Sequence, residues 1–305
     1  MYVMMISINP GSPLGGSITQ YFPGDFNGTH FTAVDGATRF TDFAKDNYAG
    51  QFFYGIPATE PQVSVAWASN WQYTNLVPTG DLEGWRSAMS LPRIQYLTNA
   101  TRSGYDLVSA PYDLTPILST PLASNQSLGN GTLLVDFASD ILPSNAIYFS
   151  VNVTSIPTSA PSGDINMTLF SSISGESISL GQLPLGSDLF LNRGKTYGFD
   201  NVFFTDKFFV TNLIDSSQGS TVDFRLEGVY DRSLLEIFCN GGIRAGTISV
   251  FPEQLLDTIV IKTGNLNTGV KVDVSVWGLK SAWMEYENGR GLVSGNVTNG
   301  MALGT

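Results

Sequence analysis

The sequence predicts an all-β fold, and two observations support that prediction. Apolar and polar residues alternate with the period-2 spacing of strands in runs such as 146–153, 221–227 and 270–276. The 32 glycines and 15 prolines lie mostly between such runs, where they serve as turn residues. Helical periodicity is almost absent. Many short strands separated by frequent turns are typical of a sandwich, a barrel or a propeller.

The other strand candidates are short runs rich in β-branched and aromatic residues, bounded by turn residues. In chain order they cover residues 1–8, 17–22, 63–68, 93–97, 132–137, 165–170, 234–239 and 247–251.

The 305 residues suggest two domains, at roughly 100–200 residues per domain. A stretch rich in Pro, Ser and Asn predicts a linker over 111–130, between an N-terminal unit (1–110) and a β-sandwich (131–285) whose strands alternate regularly. The Gly/Asn/Ser-rich end, 286–305, predicts a flexible tail.

Charge and composition exclude several classes of protein. The formal net charge is −11 and only 13% of residues are charged. Nucleic acids and anionic membranes are recognised through basic patches, so neither is expected as a partner. No run of about 18 apolar residues occurs, so no membrane span is expected. With one Cys and one His, a disulfide framework and a Cys/His metal site are excluded. We expect no metal and no cofactor.

Sequons for N-glycosylation are dense, and they favour a secreted or extracellular glycoprotein whose glycans supplement its few charged side chains. The sequon asparagines are Asn27, Asn99, Asn125, Asn130, Asn152, Asn166 and Asn296. The alternative is that a chain rich in Asn, Ser and Thr produces sequons by accident. Residues 1–8 lack the basic and apolar regions of a signal peptide. Either the protein is cytosolic with unused sequons, or the signal peptide belongs to a missing N-terminal part.

Three stretches mix aromatic rings with polar side chains, as sugar-binding sites do: 42–52, 66–73 and 85–93. The apolar C–H faces of sugars stack on Trp or Tyr, and their hydroxyls need converging Asp, Asn or Gln groups. A single Trp is more often a core residue than a sugar platform, and that alternative stays open for each one.

The same stretches resemble glycoside hydrolase family 32, the invertase and inulinase family, especially its fungal members. The similarity covers about residues 2–285 and rests on five motifs in the family's order. They are 7–11 (Ser-Ile-Asn-Pro-Gly), 46–51 (Asp-Asn-Tyr-Ala-Gly-Gln), 66–73 (Ala-Trp-Ala-Ser-Asn-Trp-Gln-Tyr), 85–93 (Trp-Arg-Ser-Ala-Met-Ser-Leu-Pro-Arg) and 231–238 (Asp-Arg-Ser-Leu-Leu-Glu-Ile-Phe).

This resemblance implies a partial five-bladed β-propeller over 1–110, followed by the C-terminal β-sandwich. It implies hydrolysis of, or fructosyl transfer from, sucrose or fructans. It also implies a set of substrate-binding residues, each with a core or loop role as the alternative. These are Asn9 and Gln51 as hydrogen-bonding groups, Trp67 as an apolar wall, Tyr48, and Asp46, which accepts hydrogen bonds from a sugar or holds Tyr48 in place.

The family's catalytic motifs are not in this sequence. Members open with a Trp-Met-Asn-Asp-Pro-Asn-Gly type motif that carries the nucleophile, and Arg-Asp-Pro and Glu-Cys motifs follow. A retaining glycosidase needs two carboxylates about 5 Å apart. Asp42 and Asp46 would lie about 13 Å apart on a strand. Asp81 and Glu83 lie on one strand face or in a loop after 78–80, and a solvated loop is the simpler interpretation. No catalytic residue is therefore assigned.

Two functional hypotheses remain. In the first, the chain is the C-terminal part of a β-fructofuranosidase-type enzyme, truncated before its catalytic carboxylates. The alternative is a non-catalytic secreted glycan-binding or structural β-protein on the same scaffold. A partial propeller would leave an open strand edge, which predicts possible self-association.

Overall fold

The computed structural model describes residues 1–101, 104–211, 219–282, 284–287 and 290–293. Strands dominate it, which confirms the all-β prediction. In chain order they are β1 (Tyr2–Ile8), β2 (Ile18–Phe26), β3 (Phe31–Ala33), β4 (Arg39–Phe40), β5 (Tyr48–Phe52), β6 (Val63–Ala68), β7 (Ala88–Met89), β8 (Arg93–Thr101), β9 (Gly104–Pro111), β10 (Leu118–Asn125), β11 (Gly131–Asp136), β12 (Ala146–Pro157), β13 (Asp164–Phe170), β14 (Ser177–Gln182), β15 (Asp188–Lys195), β16 (Lys207–Thr211), β17 (Thr221–Asp231), β18 (Leu234–Cys239), β19 (Arg244–Ser249), β20 (Thr258–Gly264), β21 (Lys271–Leu279), β22 (Met284–Glu287) and β23 (Arg290–Val293).

Helical structure is confined to short turns in the described part of the chain. These are the helix α1 (Thr79–Glu83) and the 3₁₀ turns Thr74–Leu76 and Thr115–Ile117. None of the helices in the described residues is long and apolar enough to cross a membrane.

The N-terminal third forms two small antiparallel sheets. Sheet A has the order β1-β2-β3, with β4 also paired to β2, and sheet B has the order β5-β6-β8-β9, with β7 paired to β6. The two sheets lie side by side, because β5 contacts both β1 and β2. This contact brings the start of the motif at 46–51 next to the first strands of the chain.

The C-terminal part is a sandwich of two six-stranded sheets. Sheet C has the order β10-β21-β12-β17-β18-β19, and sheet D has the order β11-β20-β13-β14-β15-β16. Alternate residues of the central strands are fully buried between the sheets, such as Val151 and Val153 on β12 and Met167 and Leu169 on β13. The period-2 pattern of the sequence therefore places one apolar face of each sheet in a shared core.

The predicted linker differs in the structure, because residues 118–125 of its 111–130 range form strand β10. This strand pairs with β21 from Leu118 opposite Leu279 to Asn125 opposite Val274, and its register shifts around Pro121. Proline is tolerated there because β10 is an edge strand. Leu122 packs against the sandwich core, which stabilises the pairing. The connection between the two units is therefore only residues 112–117.

The predicted tail, 286–305, also begins inside a strand. Strands β22 and β23 form a two-stranded antiparallel sheet in which Glu287 lies opposite Arg290. Residues 294–305, with the sequon at Asn296, lie outside the described residues.

A buried arginine, Arg93, joins the N-terminal sheets to the sandwich. Arg93 on β8 contacts Asp42 at 3.2 Å and also pairs with Glu236 on β18. Its guanidinium lies 4.9 Å from the centre of the Phe238 ring. Burial raises the pKa of Glu236, and the charge of Arg93 opposes that rise. Removing Arg93 would leave two buried carboxylates without a counter-ion, so this network links the two units firmly.

Candidate functional site

Tyr48, Trp67 and Trp71 form a cluster, which we call the aromatic cluster. Tyr48 and Trp67 lie on strands of sheet B, and Trp71 lies just after β6. Tyr48 on β5 lies opposite Trp67 on β6, with ring centres 6.0 Å apart in an edge-to-face arrangement. Trp71 follows, with its ring centre 5.1 Å from that of Trp67. Tyr48 and Trp67 are half-buried and 48% of Trp71 is exposed, so the cluster presents an apolar surface to solvent.

A bulge in β5 positions Tyr48. The register with β6 shifts between Tyr48 and Gln51, and Ala49 between them has a φ of 55°. A bulge inserts an unpaired residue and turns the neighbouring side chains. As a result Tyr48 faces Trp67, while Gln51 lies opposite Val65 and is exposed.

Ser87 provides a polar contact to the cluster. The indole N–H of Trp67 donates to Ser87 Oγ at 2.6 Å, and Ser87 holds a φ of 67°. This bond fixes the indole plane and leaves the ring face as the available surface. Asn9 is exposed just after β1, the strand next to β5. The structure thus brings Tyr48 and Trp67 into contact, and it leaves Gln51 on β5 and Asn9 after β1 exposed.

Asp46 lies apart from the aromatic cluster, in the core role that was the alternative to a contact with sugar. It is fully buried where the N-terminal sheets meet the sandwich. Its carboxylate accepts hydrogen bonds from Arg193 Nη1 at 2.8 Å, from Ser249 N at 2.9 Å and from the Tyr73 hydroxyl. The physical reason is charge: Arg193 is also fully buried and needs a counter-ion. Asp46 therefore joins the two units.

Lys45 borders the same buried group. Its Nζ donates to the Phe203 carbonyl at 2.6 Å and lies 5.6 Å from the centre of the Tyr73 ring. Burial lowers the pKa of Lys45 to about 8, Asp46 opposes that change, and Arg193 adds to it. Burial likewise raises the pKa of Tyr73. These groups are committed to the contact between the two units and have no access to a ligand.

The described carboxylates do not form a catalytic pair at the aromatic cluster. Asp42 and Asp46 are each held in a buried ion pair, with Arg93 and Arg193 respectively. Asp81 is almost fully exposed and lies 3.9 Å from Arg86. The side chain of Glu83 lies outside the described residues. Among the described residues, no group of His, Cys, Asp or Glu side chains is arranged to hold a metal ion.

The sequon asparagines differ in exposure. Asn27, Asn99 and Asn130 are exposed, whereas Asn125, Asn152 and Asn166 are half-buried. Asn152 lies on the central strand β12 and Asn166 on β13, each with the middle residue of its sequon in the core.

Two residues of the site were not singled out from the sequence. Trp71 lies in the motif at 66–73, so its aromatic character and spacing were available as a signal. Ser87 lies in the motif at 85–93, but its residue type gave no signal, because a serine in a loop is ordinary. Its contact with Trp67 depends on a backbone conformation that only the fold reveals.

Comparison with known proteins identifies relatives over most of the chain. The model for the N-terminal domain of glycosyl hydrolases family 32 matches residues 1–111, and the model for the C-terminal domain of that family matches residues 119–278. An extracellular exo-inulinase of Meyerozyma guilliermondii is 36% identical over 252 residues, covering 82% of this chain and 48% of that protein. An invertase of Kluyveromyces lactis is 36% identical over 283 residues, covering 86% of this chain and 45% of that protein.

Solved structures agree with these relatives. A β-fructofuranosidase from Schwanniomyces occidentalis, complexed with fructosyl-erythritol, has a TM-score of 0.75 and 29% identity, covering 92% of this chain and 56% of that one. An exo-inulinase from Aspergillus awamori has a TM-score of 0.73 and 25% identity, covering 92% and 54%. The chain spans about half the length of the curated relatives it matches.

Proposed function

Because this chain belongs to glycoside hydrolase family 32, we propose that it supplies sugar-binding surface to a β-fructofuranosidase-type glycosidase acting on sucrose or fructans. The observation that carries the proposal is the exposed aromatic cluster on sheet B. Hydrolysis by a retaining glycosidase needs two carboxylates about 5 Å apart. The role proposed for these 305 residues is to bind the sugar, not to supply those carboxylates.

The aromatic cluster and its neighbours have complementary roles in this proposal. The ring faces of Trp67 and Trp71 stack on the apolar C–H face of a fructosyl or acceptor unit. Gln51 and Asn9, which are both exposed, hydrogen-bond to hydroxyl groups of the sugar. Tyr48 supports the Trp67 ring edge-to-face.

Calorimetric titration of the chain with a short inulin-type oligosaccharide tests this role. Trp67→Ala should weaken binding about tenfold, which corresponds to about 1.4 kcal/mol. Tyr197→Ala is the matched control, because Tyr197 is 63% exposed and belongs to the sandwich. Equal affinity of wild type and Trp67→Ala would remove the aromatic cluster from the binding surface.

A sucrose assay tests whether the chain binds sugar without catalysing hydrolysis. The 305-residue chain by itself should release no fructose at an enzymatic rate, because losing catalytic carboxylates costs several orders of magnitude in rate. Release of fructose at an ordinary rate would show that the described carboxylates do form a catalytic pair.

The finer architecture is part of the same proposal. Sheets A and B are two blades of a five-bladed β-propeller, of which this chain carries a part. The edge strand β1 exposes Tyr2 and Ile6. An open edge with apolar side chains favours self-association of the chain. Sedimentation velocity at increasing protein concentration would detect it.

Secretion and glycosylation complete the proposal. An extracellular relative and the density of sequons support them. Occupancy measured by peptide mass spectrometry should be higher at the exposed Asn27, Asn99 and Asn130 than at the half-buried Asn152 and Asn166.

A further inference from the structure

A cleft of about 200 Å³ opens between sheet B and the sandwich. One wall comes from the loop before β7 and from β7 itself. The other wall comes from the turn between β17 and β18. The residues that carry the argument are Trp85, Ser87, Asp231, Arg232 and Ser233.

Both walls of this cleft hold a non-glycine residue in the left-handed backbone region. Ser87 has a φ of 67° and Arg232 a φ of 48°. Arg232 begins the two-residue turn that joins β17 to β18, a position that normally selects Gly, Asn or Asp. Such backbone conformations cost about 1–3 kcal/mol. The presence of arginine at this position indicates that its side chain has a function, such as binding a ligand, whose benefit outweighs the backbone strain.

The polar groups of the cleft are available to a ligand. The Arg232 Nε lies 3.8 Å from Asp231 Oδ1, which is longer than a hydrogen bond, and these side chains are 35% and 60% exposed. The guanidinium fork therefore retains donors, and the carboxylate retains acceptors. The Trp85 indole, 45% exposed, adds an apolar surface beside them.

This combination selects a neutral polyhydroxylated ligand. Arg232 and Asp231 cancel in charge, and the chain as a whole carries −11, so a polyanion is disfavoured. A carboxylate and a guanidinium side by side can accept from and donate to a sugar diol, while the indole covers a C–H face. The cleft is small compared with the roughly 300–1,000 Å³ of a pocket for a drug-sized ligand, which suits a single sugar unit.

Ser87 joins the cleft to the aromatic cluster. Its Oγ accepts the Trp67 indole N–H, and the same residue lines the cleft. We propose that this cleft is a second carbohydrate-binding site, which takes one unit of a neutral oligosaccharide with Trp85 as platform and Asp231 and Arg232 as hydrogen-bonding partners. This second site rests on the proposed function in one respect, the choice of a fructan as the probe.

The test titrates the 305-residue chain with a short inulin-type oligosaccharide and follows the indole N–H signals of its five tryptophans by NMR. The Trp85 signal is assigned from Trp85→Phe. We expect it to shift on titration. Trp85→Ala and Arg232→Asn should each weaken binding about tenfold, and the second variant keeps the turn because Asn adopts the left-handed conformation readily. Tyr54→Ala, at a fully exposed ring elsewhere, is the control.

The outcomes separate this inference from the proposed function. If Trp67→Ala weakens binding while Trp85→Ala and Arg232→Asn retain wild-type affinity, the second site is disproved and the aromatic cluster stands. If the two cleft variants weaken binding and Trp67→Ala does not, the second site stands and the proposed role of the cluster fails. A Trp85 signal that does not move at saturating oligosaccharide also overturns the inference.

Discussion

At the scale of single residues, the chain uses buried charges to fix how its two units meet. Asp46 and Arg193 are both fully removed from solvent, and each satisfies the other. Such a pair contributes little net stability compared with apolar packing, but it is costly to break. It also accepts only one arrangement of the partners, so it specifies the orientation of sheets A and B on the sandwich.

Asp46→Asn is predicted to lower the free energy of unfolding by about 3–5 kcal/mol, because it leaves the Arg193 guanidinium buried without a counter-ion. Urea unfolding followed by fluorescence measures this change. Asp35→Asn is the control, since the Asp35–Arg39 ion pair lies at the surface and its loss should change stability little. If Asp46→Asn is as stable as wild type but binds oligosaccharide more weakly, Asp46 has the sugar-contacting role after all.

Lys45 gives a prediction about pH. Its folded pKa of about 8 lies below the unfolded value of 10.5, so the folded state favours the neutral amine. Below about pH 8 the group is charged in both states and its burial opposes folding, and this penalty disappears as the pH rises towards the unfolded pKa. The stability of wild type relative to Lys45→Met should therefore increase between about pH 7 and pH 10. A pH-independent difference in urea unfolding would contradict the buried-amine explanation.

At the scale of elements, the strands are held by close approaches of backbone that only glycine permits. Gly181 on β14 has a φ of 147°, and a Cβ placed there would lie 2.0 Å from the Ile165 carbonyl on the neighbouring β13. The two strands pair along their length, so a displacement at this point disturbs sheet D.

Gly181→Ala is predicted to destabilise the protein by at least about 1–3 kcal/mol, because the added methyl group collides with backbone that cannot give way locally. Thermal unfolding by circular dichroism measures the loss. Gly264→Ala is the matched control in the same sheet, since a Cβ at that position meets no atom within 4 Å. A similar melting temperature for both variants would show that sheet D accommodates the extra group.

At the scale of the whole molecule, the two units are stabilised by different interactions. The sandwich shares one large core between its two sheets, with residues such as Phe149 and Ile237 fully buried. Sheets A and B rely on their contacts with the sandwich, through Arg93 and Arg193, and on each other. The connection between the units is short and mostly exposed.

Limited proteolysis is predicted to cut first within residues 112–117 and to leave a resistant fragment that begins near β10. A domain of about 150 residues normally buries enough surface to be stable alone, whereas two small sheets do not. Gel electrophoresis with mass spectrometry identifies the fragments. Survival of residues 1–110 while the sandwich is digested would reverse this order of stability.

The predictions that came from local pattern agree with the structure at particular elements. The runs predicted at 63–68 and 234–239 coincide with β6 and β18. The family motifs led to Trp67 and Tyr48, which do meet. Period-2 alternation is a property of neighbouring residues, so the sequence alone was sufficient for these features.

Tertiary structure decided the features that depend on distant partners. Asp46 is recognised as a buried counter-ion only because Arg193, 147 residues further along the chain, packs against it. The Pro-containing segment 118–125 is a strand only because β21 offers an edge to it. The cleft exists only because the loop at Trp85 and the turn at Arg232 meet across the two units. A local pattern carries no information about which distant charge or edge will be present, and the free energy of burying a charge depends on that partner.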